Sequence, residues 1–148
     1  MATFLDLDIS SIAKIGLMFL DGDHLEDILL DAYGHTDYDF DNFNSCKATI
    51  MKIERMNPNL HLIAVLWQKR PDNEEMAVPV VAGKALPLEG FGTSRITPSM
   101  QKAFDGEWDI QYERIPGGIS HYYPVRNSDA EIVGVLELLE DPESHVDI

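Results

Sequence analysis

Two runs of nearly continuous apolar residues, one mid-chain and one near the end, dominate the pattern of this sequence. Leu60 to Lys69 reads LHLIAVLWQK, and Glu131 to Leu139 reads EIVGVLELL. A strand with one face in water alternates apolar and polar residues, whereas a strand covered on both faces is apolar at nearly every position. We therefore predict that the two runs are neighbouring central strands of one sheet.

Three further strands complete the predicted sheet: Met76 to Val81, Trp108 to Arg114 and Ile119 to Arg126. A turn over Asn127 to Ala130 joins the last of these to the final strand, because short polar side chains satisfy their own backbone in tight bends. Pro79 lacks a backbone N–H, which places its strand at the sheet edge or at a bulge.

Apolar residues at three- and four-residue spacing predict helices before the first strand. One runs from about Ile9 to Leu20, a short second helix follows the capping box Asp23 to Glu26, and a third runs from about Asp39 to Met56. A short fourth helix begins at Thr97, between the second and third strands. This order predicts an α+β, PAS-like fold, in which N-terminal helices cover one face of a five-stranded antiparallel sheet.

The bulk properties exclude several classes of partner. The chain has 148 residues, which suits a single domain, and a net charge of −15, which repels nucleic-acid backbones and anionic lipid. Its single cysteine, Cys46, excludes an intrachain disulfide and lies in an apolar helical stripe, as a small buried hydrophobe does. No run reaches the roughly 20 apolar residues of a membrane span. Residues 142–148 are predicted to form a flexible acidic tail.

Three motifs in order resemble the Cache family of PAS-like sensor domains. Ile53 to Leu60 (IERMNPNL) is a helix end, an NPN turn and a strand start, Gly118 to Val125 (GISHYYPV) matches a later strand of the family, and Asp129 to Leu138 matches the last one. Ala130 stands where the family usually has glycine. The resemblance spans about residues 12–141.

The resemblance implies a small-molecule-binding sensor domain of signal transduction, as in chemoreceptors and histidine kinases. It also implies a pocket between the sheet and the loops over one face, a homodimer formed through the N-terminal helix, and a signalling-protein partner. Family members usually lie outside the membrane between two spanning helices, and this sequence contains neither helix. We expect a cytoplasmic location if Met1 is the native start, and a periplasmic or extracellular one if the chain comes from a membrane receptor.

Five residues are candidates for ligand contact. Glu137 interrupts the apolar final strand, so it must be paired, hydrated at the strand end, or part of a site. His121 and Tyr123 share a face by alternation, Trp67 lies near the end of the first strand, and Arg95 precedes the fourth helix. An arginine in such a loop can clamp a carboxylate, so Arg95 together with the aromatic candidates predicts a small organic acid or an amino acid as ligand.

Metal binding, cofactors and catalysis are not expected. The run Asp37-x-Asp39-x-Asp41 resembles a calcium loop, but Asn42 replaces the required glycine and Ala48 the final glutamate. The five histidines lack zinc-site spacing, and no nucleophile elbow or phosphate-binding glycine loop occurs.

The main alternative is a ligand-free dimerisation or protein-docking module, since PAS-like and roadblock-like folds serve both purposes. A polar-lined cavity over the sheet favours the sensor. A cavity packed shut by Trp67, Tyr123 and Phe91 favours the docking module. An enzyme, the third possibility, needs a carboxylate–histidine cluster assembled by the fold.

Overall fold

The structure of the protein, a computed structural model, describes residues 7–34, 40–83 and 94–140. Its helices are α1 (Ile9–Phe19), α2 (Gly22–Gly34), α3 (Phe40–Arg55) and α4 (Pro98–Phe104). Its strands are β1 (Leu62–Arg70), β2 (Asn73–Ala82), β3 (Ser94–Arg95), β4 (Ile110–Ile115), β5 (Gly118–Arg126) and β6 (Ile132–Glu140).

All strands belong to one antiparallel sheet in the order β3-β2-β1-β6-β5-β4. The two apolar runs, β1 and β6, pair at its centre from Leu62 opposite Glu140 to Trp67 opposite Val135. The α+β class and the five long antiparallel strands are confirmed. The two-residue strand β3 extends the β2 edge and was not predicted. Pro79 lies beside a bulge, where the β1–β2 register shifts.

The sheet separates two hydrophobic clusters, and we name its faces by the helices that cover them. The N-terminal helices α1 to α3 pack on the helix face, where Leu66, Tyr123 and Leu136 belong to the main core. The short α4 packs on the α4 face, where Trp67, Tyr122 and Val135 form the second cluster. N-terminal helices covering one face were predicted, and the alternation of side chains along each strand accounts for the division.

Close packing joins α1 to α3 on the helix face. A Cβ atom added to Gly16 would lie 2.5 Å from Cγ1 of Ile53, so only glycine allows the observed approach. Cys46 is fully buried in this core, as predicted. Burial, followed by the negative charge of Asp21, raises the pKa of its thiol to about 12.

The closing hairpin has the predicted polar turn. Asn127 Oδ1 accepts hydrogen bonds from the backbone N–H groups of Asp129 and Glu131, at 2.9 and 3.0 Å. Ala130, where the resembled family usually has glycine, has a φ of 64°, a left-handed conformation to which glycine is best suited.

Some predictions fall partly or wholly outside the described residues. The predicted start of the third helix, Asp39, falls within residues 35–39, which are not described. Phe91 and the predicted acidic tail also lie outside the described ranges.

Candidate functional site

A buried carboxylate marks the most unusual place in the sheet. Glu137 on β6 is fully buried, and its side-chain oxygens accept hydrogen bonds from three neighbouring side chains. Trp67 Nε1 donates at 2.8 Å, and Arg114 donates through Nη2 at 2.8 Å and through Nε. Ser120 donates through its hydroxyl. Of the three possibilities that the sequence left open for Glu137, pairing is the one observed.

Strand pairing brings these side chains together on the α4 face. Glu137 lies opposite Val65 on β1 and opposite Tyr122 on β5. Trp67 is two residues along β1 from Val65, and Ser120 is two residues along β5 from Tyr122, so alternation places both on the same face as Glu137. Arg114 reaches the same carboxylate from β4, the edge strand. We call Trp67, Arg114, Ser120, Tyr122 and Glu137 the Glu137 cluster.

The surroundings of the cluster shift the pKa values of Arg114 and Tyr122 upward. Burial acts to lower the pKa of Arg114, but the hydrogen bond and negative charge of Glu137 outweigh it, and the pKa lies above its ordinary value. Burial, followed by the charge of Glu137, raises the pKa of the Tyr122 phenol. The Arg114 guanidinium also lies over the Trp67 ring, with Cζ 5.6 Å from the centroid. The cluster is thus a charged, aromatic-walled centre within an otherwise apolar face.

A second polar cluster lies on the helix face. His121 Nδ1 lies 2.6 Å from Asp109 Oδ1, and Tyr123 donates its hydroxyl to the same oxygen at 2.9 Å. The rings of His121 and Tyr123 are stacked at 6.4 Å, as their predicted common face requires, and Trp108 packs against Tyr123 at 4.7 Å. Asp109 itself has a φ of 57°, which aspartate tolerates better than most residues.

Burial also affects the phenol of Tyr123 in this second cluster. The pKa of Tyr123 is raised, first by burial and then by its hydrogen bond to Asp109, so its hydroxyl stays protonated and remains a donor. The two hydrogen bonds to one carboxylate oxygen tie β5 to the residue that precedes β4.

Arg95 stands apart from both clusters. It lies on β3 at one edge of the sheet, whereas Arg114 lies on β4 at the opposite edge. Its side chain is 78% exposed and lies 3.6 Å from Glu75.

Comparisons with known proteins support the fold. No protein-family model matches the chain, and no curated protein matches it. The sensor domain of the V. cholerae histidine kinase DctB is 17% identical, with a TM-score of 0.54, and the match covers 87% of this chain and 47% of that one. The chain thus spans about half the length of the DctB sensor domain. The fold is PAS-like.

Two further structures resemble the chain more loosely. The A. aeolicus nlh2 GAF domain in an inactive state is 13% identical, with a TM-score of 0.48, and the match covers 88% of this chain and 85% of that one. An extracellular ligand-binding receptor from Desulfohalobium retbaense is 13% identical, with a TM-score of 0.47, and the match covers 89% and 24%.

The five predicted ligand residues lie at three separate places on the PAS-like sheet. Trp67 and Glu137 meet on the α4 face, His121 and Tyr123 meet on the helix face, and Arg95 lies at the edge. Trp67 and Tyr123 are fully buried on opposite faces, so they do not close one cavity together. Whether any of the five contacts a ligand stays a prediction.

The sequence pattern did not point to three residues of the two polar clusters: Arg114, Ser120 and Asp109. A buried Glu137 signals that a cation is near, but only the strand order identifies Arg114. Asp109 carries no distinguishing signal in the sequence.

Two further features of the described chain concern metal ions and membranes. In the described ranges, no group of three or more His, Cys, Asp or Glu residues is arranged to hold a metal ion. Asp37 and Asp39 of the calcium-like run lie outside those ranges. Among the described helices, none has the length and apolar character needed to cross a membrane.

Proposed function

We propose that this chain is a Cache-type, small-molecule-binding sensor domain and that the Glu137 cluster belongs to its ligand site. The observation that carries the proposal is the ion pair between the fully buried Glu137 and the partly buried Arg114 on the face opposite the N-terminal helices. Replacing a buried ion pair by apolar residues is often neutral or stabilising. A need for stability alone therefore does not account for this pair, whereas buried charges are common at functional sites.

The proposed ligand is a small organic acid or an amino acid. Glu137 and the Trp67 ring hold the Arg114 guanidinium in a fixed orientation, and its side chain remains 22% exposed. A guanidinium meets carboxylates through planar pairs of N–H groups, a geometry that an ammonium group does not reproduce; Glu137 occupies the Nε–Nη2 pair, so a ligand carboxylate would approach the Nη1–Nη2 edge. The ring of Tyr112, which is 37% exposed and lies 6.4 Å from the buried Tyr122 ring, supplies apolar surface for the rest of such a ligand.

Thermal unfolding in the presence of small carboxylic acids and amino acids tests the proposal. A ligand at 100 times its dissociation constant stabilises a fold by about 2.7 kcal/mol. We expect Arg114→Lys, which keeps the charge and loses the planar fork, to weaken the affinity at least tenfold. Urea unfolding of the same variant separates lost affinity from lost folding.

Arg95→Lys is the matched control, because Arg95 is the arginine that the sequence predicts as a carboxylate clamp. We expect this variant to bind like the parent chain. Weakened binding in Arg95→Lys alone would move the site to the β3 edge, and the absence of any ligand-induced stabilisation across the panel would contradict the proposal.

A second candidate, a ligand-free dimerisation or docking module, is favoured by a different observation. Met18 and Phe19 at the end of α1 are 79% and 72% exposed, which is unusual for adjacent large apolar residues. A homodimer formed through α1 buries them. Sedimentation of the parent chain and of Phe19→Ser distinguishes the candidates: a dimer lost in the variant supports this one, and a monomer throughout contradicts it.

A further inference from the structure

The outer edge of β4 pairs with no other strand in the described part of the chain. β4 is the last strand of the sheet, and its register is with β5 alone. Alternate residues of an antiparallel strand direct their backbone N–H and C=O groups to the same edge, so one set of these groups faces outward from β4. Such an edge can pair with another strand, and folded proteins usually protect it by shortness, by a proline or by a covering segment.

The two edges of the sheet differ in this protection. β3, at the opposite edge, has only two residues, whereas β4 has six and contains no proline. Four residues of β4 are exposed: Gln111, Tyr112, Glu113 and Ile115. Of the five large apolar side chains that are exposed in the described residues, three lie on or just before this strand: Trp108, Tyr112 and Ile115. A long unpaired edge with exposed apolar side chains is typical of a surface that receives another chain.

The two faces of β4 present different side chains. Tyr112 lies opposite Ser120 of the Glu137 cluster, so it lies on the α4 face, and alternation places Ile110 on the same face. Gln111 and Glu113 therefore lie on the helix face. When a further strand is added, residues directly opposite each other share a face and their side chains make contact. β4 thus offers an apolar pair on one face and a polar, acidic pair on the other.

The charge at this edge favours a basic partner. β4 carries two charged side chains, Glu113 and Arg114, and Arg114 is paired with Glu137. Glu113 forms no ion pair with any described residue. The chain as a whole has a net charge of −15, so two copies repel each other, whereas a basic segment is attracted. A basic peptide therefore suits this edge better than a second copy of the chain.

We propose that the outer edge of β4 binds an extended peptide segment in which basic and β-branched apolar residues alternate. The main chain of the peptide continues the sheet beyond β4, as in other complexes formed by strand addition. Its apolar side chains contact Ile110 and Tyr112, and a basic side chain lies opposite Glu113. This surface is separate from the exposed Met18 and Phe19 of α1, and the proposal goes beyond the proposed function.

A titration with the peptide acetyl-KVKVKVK-amide, followed by ¹H–¹⁵N correlation NMR of the ¹⁵N-labelled chain, tests the proposal. We expect saturable shifts centred on the backbone amides of β4, and new protection from hydrogen exchange at alternate amides of that strand. The peptide has no carboxylate, and Arg114→Lys should bind it like the parent chain. A failure of the carboxylate-sensor proposal is therefore distinguishable from a failure of this one.

Two N-methylated forms of the peptide test the main-chain pairing. One is methylated at its valines and the other at its lysines, which removes N–H groups from opposite edges of the same extended strand. Only one of these edges faces β4. One form should therefore bind like the unmethylated peptide, and the other should lose about tenfold or more in affinity. Equal affinity of the two forms would overturn the proposal.

A side-chain variant with a matched control tests the charge. Glu113→Gln should weaken binding about two- to fivefold, because it removes an opposite-charge cross-strand pair. Glu74→Gln changes an exposed acid on β2, away from this edge, and should bind like the parent chain. The peptide acetyl-KKKVVVK-amide, which has the same composition without the alternation, should bind severalfold more weakly.

Three further results would overturn the proposal. The first is equal affinity for the alternating and the rearranged peptide, which would indicate attraction to the acidic surface alone. The second is the absence of saturable shifts in β4. The third is a dimer of the parent chain, detected by sedimentation, that protects the same β4 amides without any peptide, because it would assign this edge to a second copy.

Discussion

Replacing Arg114, the partly exposed member of the ion pair in the Glu137 cluster, should destabilise the protein more than replacing Glu137. Arg114→Met leaves the Glu137 carboxylate fully buried without its cation. Breaking a buried pair in this way costs about 3–5 kcal/mol, because the remaining charge is neither hydrated nor compensated. For a chain of this length, the loss corresponds to a fall in Tm of roughly 6–20 °C.

Removing the other partner should cost less. Glu137→Gln retains an oxygen that accepts from Trp67 Nε1, and the Arg114 side chain, 22% exposed, can turn toward water. We expect a loss of about 1–3 kcal/mol, as for other disrupted buried hydrogen bonds. The double variant Arg114→Met/Glu137→Gln should be more stable than Arg114→Met alone, since the uncompensated charge is gone.

Urea unfolding measures all three values, with tryptophan fluorescence as the signal. A Trp108→Phe background leaves buried Trp67 as the single tryptophan reporter. Arg95→Met is the matched control: its side chain is 78% exposed, and its contact with Glu75 is worth less than about 1 kcal/mol. If Arg114→Met loses no more stability than Arg95→Met, or if the double variant loses the sum of the single losses, the buried-pair reasoning is wrong.

Three other predictions concern the helix face. Raising the pH above 9 should reduce the free energy of unfolding by up to about 1.4 kcal/mol per pH unit, because the pKa of the Cys46 thiol is about 12 in the fold and 9.0 ordinarily, so the unfolded chain loses the proton first. Urea unfolding between pH 8 and 11 measures this loss. A Cys46→Ala variant whose stability falls with the same slope would contradict the prediction. Gly16→Ala should cost about 1–3 kcal/mol by overpacking against Ile53, and a double-mutant cycle with Ile53→Ala should show coupling; strict additivity would refute the contact. Asp109→Ala should lower the free energy of unfolding by about 1–3 kcal/mol, because it removes two hydrogen bonds and places alanine at a strained φ. Asp109→Asn should lower it by less. Equal losses of the two variants in thermal unfolding would argue against this cause.

The hydrophobic pattern predicts the fold well, because burial on two faces leaves a direct trace in the sequence. The apolar runs of β1 and β6 identify the centre of the sheet, and the helical spacing before them identifies the covering layer. Strand ends are less predictable. β2 begins at Asn73, three residues before the predicted Met76, because its first residues are exposed and polar and leave no apolar pattern in the sequence.

The candidate site is only partly predictable from the sequence, because one partner of the ion pair leaves a trace in the hydrophobic pattern and the other does not. Glu137 stands out because a carboxylate in an apolar central strand needs compensation. Arg114 does not stand out, since it lies on an edge strand whose residues are mostly exposed and whose sequence, IQYERI, gives no sign of a buried charge. The chain contains 11 lysines and arginines, and local pattern alone does not select among them.

The strand order and the register of β4 determine which basic residue reaches Glu137. β5 separates β6 from β4, so a β4 side chain must pass over β5 to reach Glu137. The β4–β5 register shifts between Glu113, opposite Ile119, and Ile115, opposite Gly118, which leaves Arg114 as the extra residue of a β-bulge. Tyr112 lies opposite Ser120 on the α4 face, and alternation along β4 places Arg114, two residues further on, toward the same face, from which its long side chain reaches the carboxylate. The ion pair thus depends on a register set by non-local pairing, so deleting one residue of β4 before Arg114 should turn its side chain to the other face and break the pair even where the arginine is kept.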